Sequence, residues 1–359
     1  MEDSLNLSQT RQSEWMDISI DSPRCVAGER FSGEILLSLP SNSEFLTLSL
    51  KSHGRESVSI KESGGGLIRH SVDIFTLNQV LSDKFEQGKI QAIFPFTFKL
   101  PVFSPASFNF NEKDSEGNLI EVTVSYEIVA VLYSPTKEIL VCKKNFYVFN
   151  RNTRKVLSGS SSQDTLLNCC FCCTQGTSSI SISYSDPEHL VCGARKTYKV
   201  AVSSGSNRKL ESMMGQVLFD LVVKVPGARD FAVSQVISRT VPRLGSIIDA
   251  SDQVEKLGLD YEVDLEQSRL GNNPCSNSGA LFGAEYNIQF YANYNVGCRM
   301  KSAGCSLSLH VNPQAPVKDN VEFPHRWDPT EHLISNLNLE ASNGIPYPQG
   351  TVVVNRKRE

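Results

Sequence analysis

The stretch from Ile90 to Phe108, IQAIFPFTFKLPVFSPASF, constrains the fold more than any other part of this chain. Phe94, Phe96 and Phe98 alternate with Pro95, Thr97 and Lys99, the period of two that sends one set of side chains into a core and the other toward solvent. Pro101 lacks the N–H a ladder needs and ends the strand, and Pro105 keeps the exit extended until Phe108. Two long β-rich runs follow, Ile120 to Leu132 and Glu138 to Phe149, joined at Ser134-Pro135-Thr136-Lys137 as in a hairpin. The second half of the chain has the same texture: strands are expected near Ser178 to Tyr184, Thr197 to Ser203, Gln216 to Val225, Val233 to Val241, Asp260 to Glu266, Ala284 to Tyr294 and Cys305 to Val311. The irregular stretch 61–89 admits one short helix, over Asn78 to Phe85, and Gly64-Gly65-Gly66 reads as a hairpin tip.

A chain of 359 residues has room for two domains with their own cores. A net charge of −4 argues against a dedicated nucleic-acid binder. The N-terminal residues carry no secretion signal pattern and no run approaches a membrane span, so the chain reads as cytoplasmic, at most peripheral to a membrane. Ten cysteines are unevenly spread, four of them within Cys169-Cys170-Phe171-Cys172-Cys173, and reduced thiols are the default expectation.

Several ordered motifs carry a family resemblance. The series Phe94-Pro95-Phe96-Thr97-Phe98-Lys99-Leu100-Pro101, then Pro105-Ala106-Ser107-Phe108, then Val124-Ser125-Tyr126-Glu127-Ile128-Val129-Ala130 resembles the N-terminal domain of the arrestin fold, and is most similar to the arrestin-domain-containing proteins, the α-arrestins. The opening hairpin Val26 to Ile35 and Gly54-Arg55-Glu56 fit the same pattern. So does the order of the cysteine cluster, the alternating Ser178 to Ser183 strand and the Ser206-Asn207-Arg208-Lys209 turn, although Val191-Cys192-Gly193-Ala194 replaces the family's usual Pro-Gly-Glu. The tail element Pro324-His325-Arg326-Trp327-Asp328-Pro329 resembles the region that follows the second family domain.

The resemblance implies an all-β fold of two consecutive arrestin-type (immunoglobulin-like) antiparallel β-sandwich domains. It places a flexible N-terminus at 1–13, the first sandwich at 14–152, a Ser/Cys-containing linker at 153–175, the second sandwich at 176–313 and a Pro-containing tail at 314–359. It further implies a non-enzymatic adaptor or scaffold that binds cytosolic tails of membrane proteins, together with trafficking machinery, in endocytic or endosomal transport. An extended cargo segment adding to a sheet edge is the expected mode. Residues 45–60 and the tail side chains Phe323, Pro324, Trp327 and Pro329 are the candidate contact regions. No two prolines are adjacent, so the Pro-Pro-x-Tyr route to WW-domain ubiquitin ligases is not carried over. A subunit of a retromer-like sorting coat is the alternative within the fold; an extracellular adhesion or carbohydrate-binding module is the alternative from another class.

Chemistry-bearing motifs are sparse. There is no Gly-x-Ser-x-Gly elbow, His-Glu-x-x-His helix, phosphate-binding loop or dinucleotide fingerprint, so neither an enzyme nor a cofactor is expected. Three readings of Cys169, Cys170, Cys172 and Cys173 stay open: inert reduced thiols, S-palmitoylation as a reversible membrane anchor, or a metal site completed by Cys192 or His189.

Overall fold

The computed structural model describes residues 14–22, 25–39, 46–82, 90–134, 138–149, 159–170, 173–184, 190–191, 195–205, 210–240, 256–265, 275–296, 300–312, 321–324, 327–331 and 353–355. Among the described residues every regular element is a strand.

The first half contains β1 (Trp15–Ile20), β2 (Cys25–Val26), β3 (Arg30–Leu39), β4 (Thr47–Lys61), β5 (Leu67–Ser82), β6 (Ile90–Lys99), β7 (Phe108–Lys113), β8 (Leu119–Tyr133), β9 (Glu138–Phe146) and β10 (Val148–Phe149). One sheet runs β1-β3-β6; the other runs β5-β4-β8, with β7 and β9 both paired to β8, and β2 pairs with β10 in parallel. The alternation expected in β6 is present, with Ala92, Phe94, Phe96 and Phe98 buried and Thr97 and Lys99 exposed. The two sheets close over aromatic rings. Phe31 of β3 stacks on Phe146 of β9 at 4.3 Å between centroids, and lies 5.0 Å from Phe98.

The Gly54-Arg55-Glu56 motif sits within β4. Tyr126 stands opposite Gly54 and lays its ring over the glycine, so that a β-carbon there would come within 2.6 Å of the ring. The Tyr126 hydroxyl then donates to the Pro105 carbonyl, fixing the segment that leaves β6. Gly54→Ala should therefore cost about 1–3 kcal/mol of stability through overpacking. Equal thermal unfolding of variant and wild type would show that the ring simply swings away.

The stretch expected to be helical belongs to β5 as far as Ser82; residues 83–85 lie outside the described residues. The pairing of β5 with β4 slips twice: Gly54 pairs with Phe75 and Arg55 with Asp73, leaving Ile74 as an extra residue, and a second slip leaves Leu81 out. Each bulge shifts the inward parity by one, which hides the period of two.

The second half contains β11 (Gly159–Cys170), β12 (Cys173–Tyr184), β13 (Leu190–Val191), β14 (Arg195–Ser204), β15 (Leu210–Val223), β16 (Phe231–Thr240), β17 (Lys256–Asp264), β18 (Asn277–Ser278), β19 (Phe282–Asn295), β20 (Met300–Leu309) and β21 (Val311–Asn312). From β12 onward the pairing scheme of the first half recurs strand for strand. The series β12-β14-β17 repeats β1-β3-β6, β16-β15-β19 with β18 and β20 on β19 repeats the second sheet, and β13 pairs with β21 as β2 does with β10. The repeat extends to single hydrogen bonds. The Ser107 N–H donates to the Val148 carbonyl and the Ser107 hydroxyl accepts the Val148 N–H; Ser276 and Val311 do the same.

Strand β11 has no counterpart among the described residues of the first half. Within the stretch 153–175, Gly159 to Cys170 form an edge strand hydrogen-bonded to β12. Its serines need no apolar alternation because β12 supplies the backbone partners, and Leu167 is fully buried. The buried apolar residues of both halves form one cluster, from Ile18 to Val311.

Candidate interaction site

Two features stand out in the described residues: the seam joining the halves, and a tail segment laid on the first sheet.

The seam begins with a carboxylate where one is unexpected. Glu56 shares the inward parity of β4 with Leu48, Leu50, Val58 and Ile60, and is wholly buried. A buried carboxylate is tolerated only when hydrogen-bonded. Its Oε2 accepts the Ala280 N–H at 2.8 Å and its Oε1 accepts the Leu281 N–H at 2.7 Å, with a further bond from the Phe282 amide. Successive amides thus wrap the carboxylate as in an anion-binding nest. Any β-carbon on Gly279 would strike the Glu56 carboxyl, so only glycine fits before them. Burial pushes the Glu56 carboxyl above its ordinary range, and the three amide bonds pull it back only in part.

Beside it, the Asn277 side chain acts as a strand residue would. Its Oδ1 accepts the Ala106 N–H at 3.0 Å and its Nδ2 donates to the Ala106 carbonyl at 2.8 Å. The Cys275 thiol donates to the Ser107 carbonyl at 3.5 Å. Phe108 packs on Phe282 at 4.6 Å and Phe110 on Phe219 at 5.7 Å. On the rim Arg229 bonds Glu116 at 2.6 Å, an exposed ion pair of little weight. These contacts join the segment entering β7 to its topological equivalent around β18, and they clamp the halves rather than open a cleft.

The tail returns to the first half. Trp327 meets Trp15 of β1 edge-on at 5.5 Å and Phe323 at 5.8 Å. The Asp328 N–H donates to Gln91 Oε1 at 3.0 Å. A short strand β22 (Thr330–Glu331) then pairs in parallel with Ala92 and Ile93 on the free edge of β6, and β23 (Val353–Asn355) pairs with Leu67 to Arg69 of β5. This explains why β3 ends in five consecutive buried residues rather than alternating. Leu36 lies between Asp17 and Ile93, and Ser38 between Trp15 and Gln91, on the face that the tail crosses.

The predicted contact residues divide accordingly. Trp327 is taken up by its own chain, Pro324 and Pro329 are half-buried, and Phe323 is 56 % exposed. Of residues 45–60, Leu48 to Ile60 do not offer an edge, because β4 is hydrogen-bonded to β5 on one side and to β8 on the other; residue 45 lies outside the described residues. Cys170 pairs in backbone register with Cys173 across the β11–β12 turn. Cys172 and the side chains of Cys169, Cys170 and Cys173 lie outside the described residues, as do Cys192 and His189.

Cys25, Cys142, Cys275 and Cys305 are free thiols. Burial pushes Cys25 up to about 12; burial, then the nearby Asp17 carboxylate, pushes Cys142 up to about 11. Such thiols are poor nucleophiles. Among the described residues no group of three or more His, Cys, Asp or Glu side chains is placed to hold a metal.

Asn277 and Gly279 carry no motif, and the Gly54-Arg55-Glu56 motif does not show what its glutamate bonds to. The available signal was an acidic residue at the inward parity of a long apolar strand.

The class these features define is an all-β chain of mainly antiparallel sheets in which one pairing scheme occurs twice. No protein-family model matches the chain, and no curated protein matches it in sequence.

Proposed function

We propose that this chain is a non-enzymatic adaptor of the arrestin type, built from two β-sandwich domains, that binds cytosolic segments of membrane proteins for endocytic or endosomal transport. The observation that carries this reading is the parallel pairing of Thr330 and Glu331 with Ala92 and Ile93. An edge that takes an extended segment of its own tail through backbone bonds has the chemistry to take an extended segment of another protein. Phe323, 56 % exposed, would provide side-chain selectivity beside that edge. The twofold occurrence of one sandwich topology supports the arrestin-type architecture, and the thiols of Cys25, Cys142, Cys275 and Cys305, which form no disulfide, suit a reducing compartment.

Affinity capture of the full chain from its native cells tests the reading, with wild type compared with a Trp327→Ala/Thr330→Pro variant that frees the β6 edge. Membrane proteins and sorting components should accompany both, with several-fold higher recovery of cytosolic segments by the variant. Changing Cys169, Cys170, Cys172 and Cys173 to serine should move the protein to the soluble fraction if these thiols are lipidated. Should neither wild type nor the edge-freed variant recover a membrane protein, the adaptor function fails.

A further inference from the structure

The segment between β6 and β7 carries the most exposed large apolar side chain among the described residues. Phe103 is 86 % exposed, and its neighbour Val102 is 41 % exposed. Single exposed apolar residues are common on soluble proteins; this pair is distinguished by how firmly its base is held. Before it, the Leu100 N–H donates to the Glu29 carbonyl at 2.9 Å. The Ser104 N–H donates to the Pro101 carbonyl at 3.2 Å and closes a tight turn with Val102 and Phe103 at its central positions. After it, Tyr126 holds the Pro105 carbonyl, Asn277 brackets both polar groups of Ala106, and the Ser107 N–H reaches Val148. Ser104 and Ala106 are buried, and Pro101 and Pro105 fix φ on either side. The phenyl ring is thus presented on a hydrogen-bonded stalk.

The surroundings have a chemical sense. Lys99 and Arg30, directly paired across β6 and β3, are both exposed where the stalk begins. Phe31 and Phe146 stack, so their chain neighbours Arg30 and Tyr147 lie at the same end of the sandwich. Tyr147 is 45 % exposed, and Lys143 follows on the same side of β9 by the period of two. Glu29 at this base, and Glu127 paired with Asn145 between Lys143 and Tyr147, are the opposing carboxylates. A convex apolar tip with an amphipathic aromatic residue and an excess of cations around it suits a fluid anionic surface. A protein pocket would have to match its shape, whereas a bilayer does not.

We propose that Val102 and Phe103 form a wedge that enters the interface of an anionic lipid membrane, with Lys99, Arg30 and Lys143 on the headgroups and Tyr147 at headgroup depth. The inference stands apart from the choice of protein cargo, because it is tested with purified chain and lipid alone.

The experiment is co-sedimentation of the full chain with vesicles of phosphatidylcholine, with and without phosphatidylserine. Wild type should bind the anionic vesicles and barely bind the neutral ones. Phe103→Ser should weaken that binding about tenfold, the scale set by burying one phenyl ring. Lys99→Glu should weaken it on anionic vesicles only. In Phe103→Trp, the added emission relative to wild type should shift to the blue with phosphatidylserine vesicles. Because position 103 is exposed, the serine variant should unfold as wild type does. Absence of wild-type sedimentation, equal binding by Phe103→Ser, or an unshifted Phe103→Trp spectrum would each overturn the proposal; the last two would leave Phe103 to a protein partner.

Discussion

Replacing Glu56 with alanine should lower the unfolding free energy by about 3–5 kcal/mol, because three backbone amides lose their acceptor inside a dry seam and each orphaned group costs about 1–3 kcal/mol. Urea unfolding of the full chain measures this. A loss below about 1 kcal/mol would mean that water reaches the amides and takes over from the carboxylate. Glu56→Gln isolates the charge, since one amide oxygen can still accept while the NH2 group faces donors. The pH dependence of the pair then has a defined sign. A free glutamate titrates near 4.3; burial raises the carboxyl in the folded chain, so the folded chain binds more protons than the unfolded chain between the two values. The stability this shift contributes is fully present below about pH 4 and is lost as pH rises through the folded value. The advantage of wild type over Glu56→Gln should therefore be largest at acid pH and shrink upward. An advantage growing with pH would mean that the amide bonds outweigh desolvation.

Phe31→Ala should be of similar size, about 3–5 kcal/mol, the range for deleting a large aromatic side chain from a packed core. Phe31 is 2 % exposed and meets rings from both sheets: Phe146 at 4.3 Å, Phe98 at 5.0 Å and Phe96 at 6.0 Å. Neither sheet can close on the vacancy without moving the other, which is the condition under which a cavity stays open. Phe103→Ala is the matched control, with the same atoms removed from an exposed tip and no expected loss. Similar urea midpoints for the two variants would contradict the burial assigned to Phe31.

What was legible in the sequence was what a period of two can express. Phe94, Phe96 and Phe98 announced β6, and the run expected from Ile120 to Leu132 lies within β8, one residue short at each end. Legibility failed where the period was broken or had nothing to act on. In β5 the extra residues Ile74 and Leu81 reverse the inward parity, and in β11 the serines have no apolar face to alternate with. The repeat between the halves was hidden because β7 spans six residues and its counterpart β18 only two. The candidate site was the least legible part. The tail aromatics could be read as contact residues, but only the fold reveals that Trp327 has Trp15 as its partner. Glu56 looked like part of a strand motif; its function as a clamp depends on Gly279 to Phe282, which no local pattern connects to it.

The clamp also matters during biosynthesis. Glu56 and the amide of Ala280 are 224 residues apart in the chain, so at ribosomal speed the carboxylate waits on the order of 10–45 s for its partners. Throughout that interval Phe108 and Phe110 lack Phe282 and Phe219, the rings that cover them in the finished protein. The nascent first half is therefore a sticky, half-finished object that holdase chaperones should bind until synthesis passes Phe282. Premature termination before that point would produce a fragment for the degradation machinery rather than a smaller working domain.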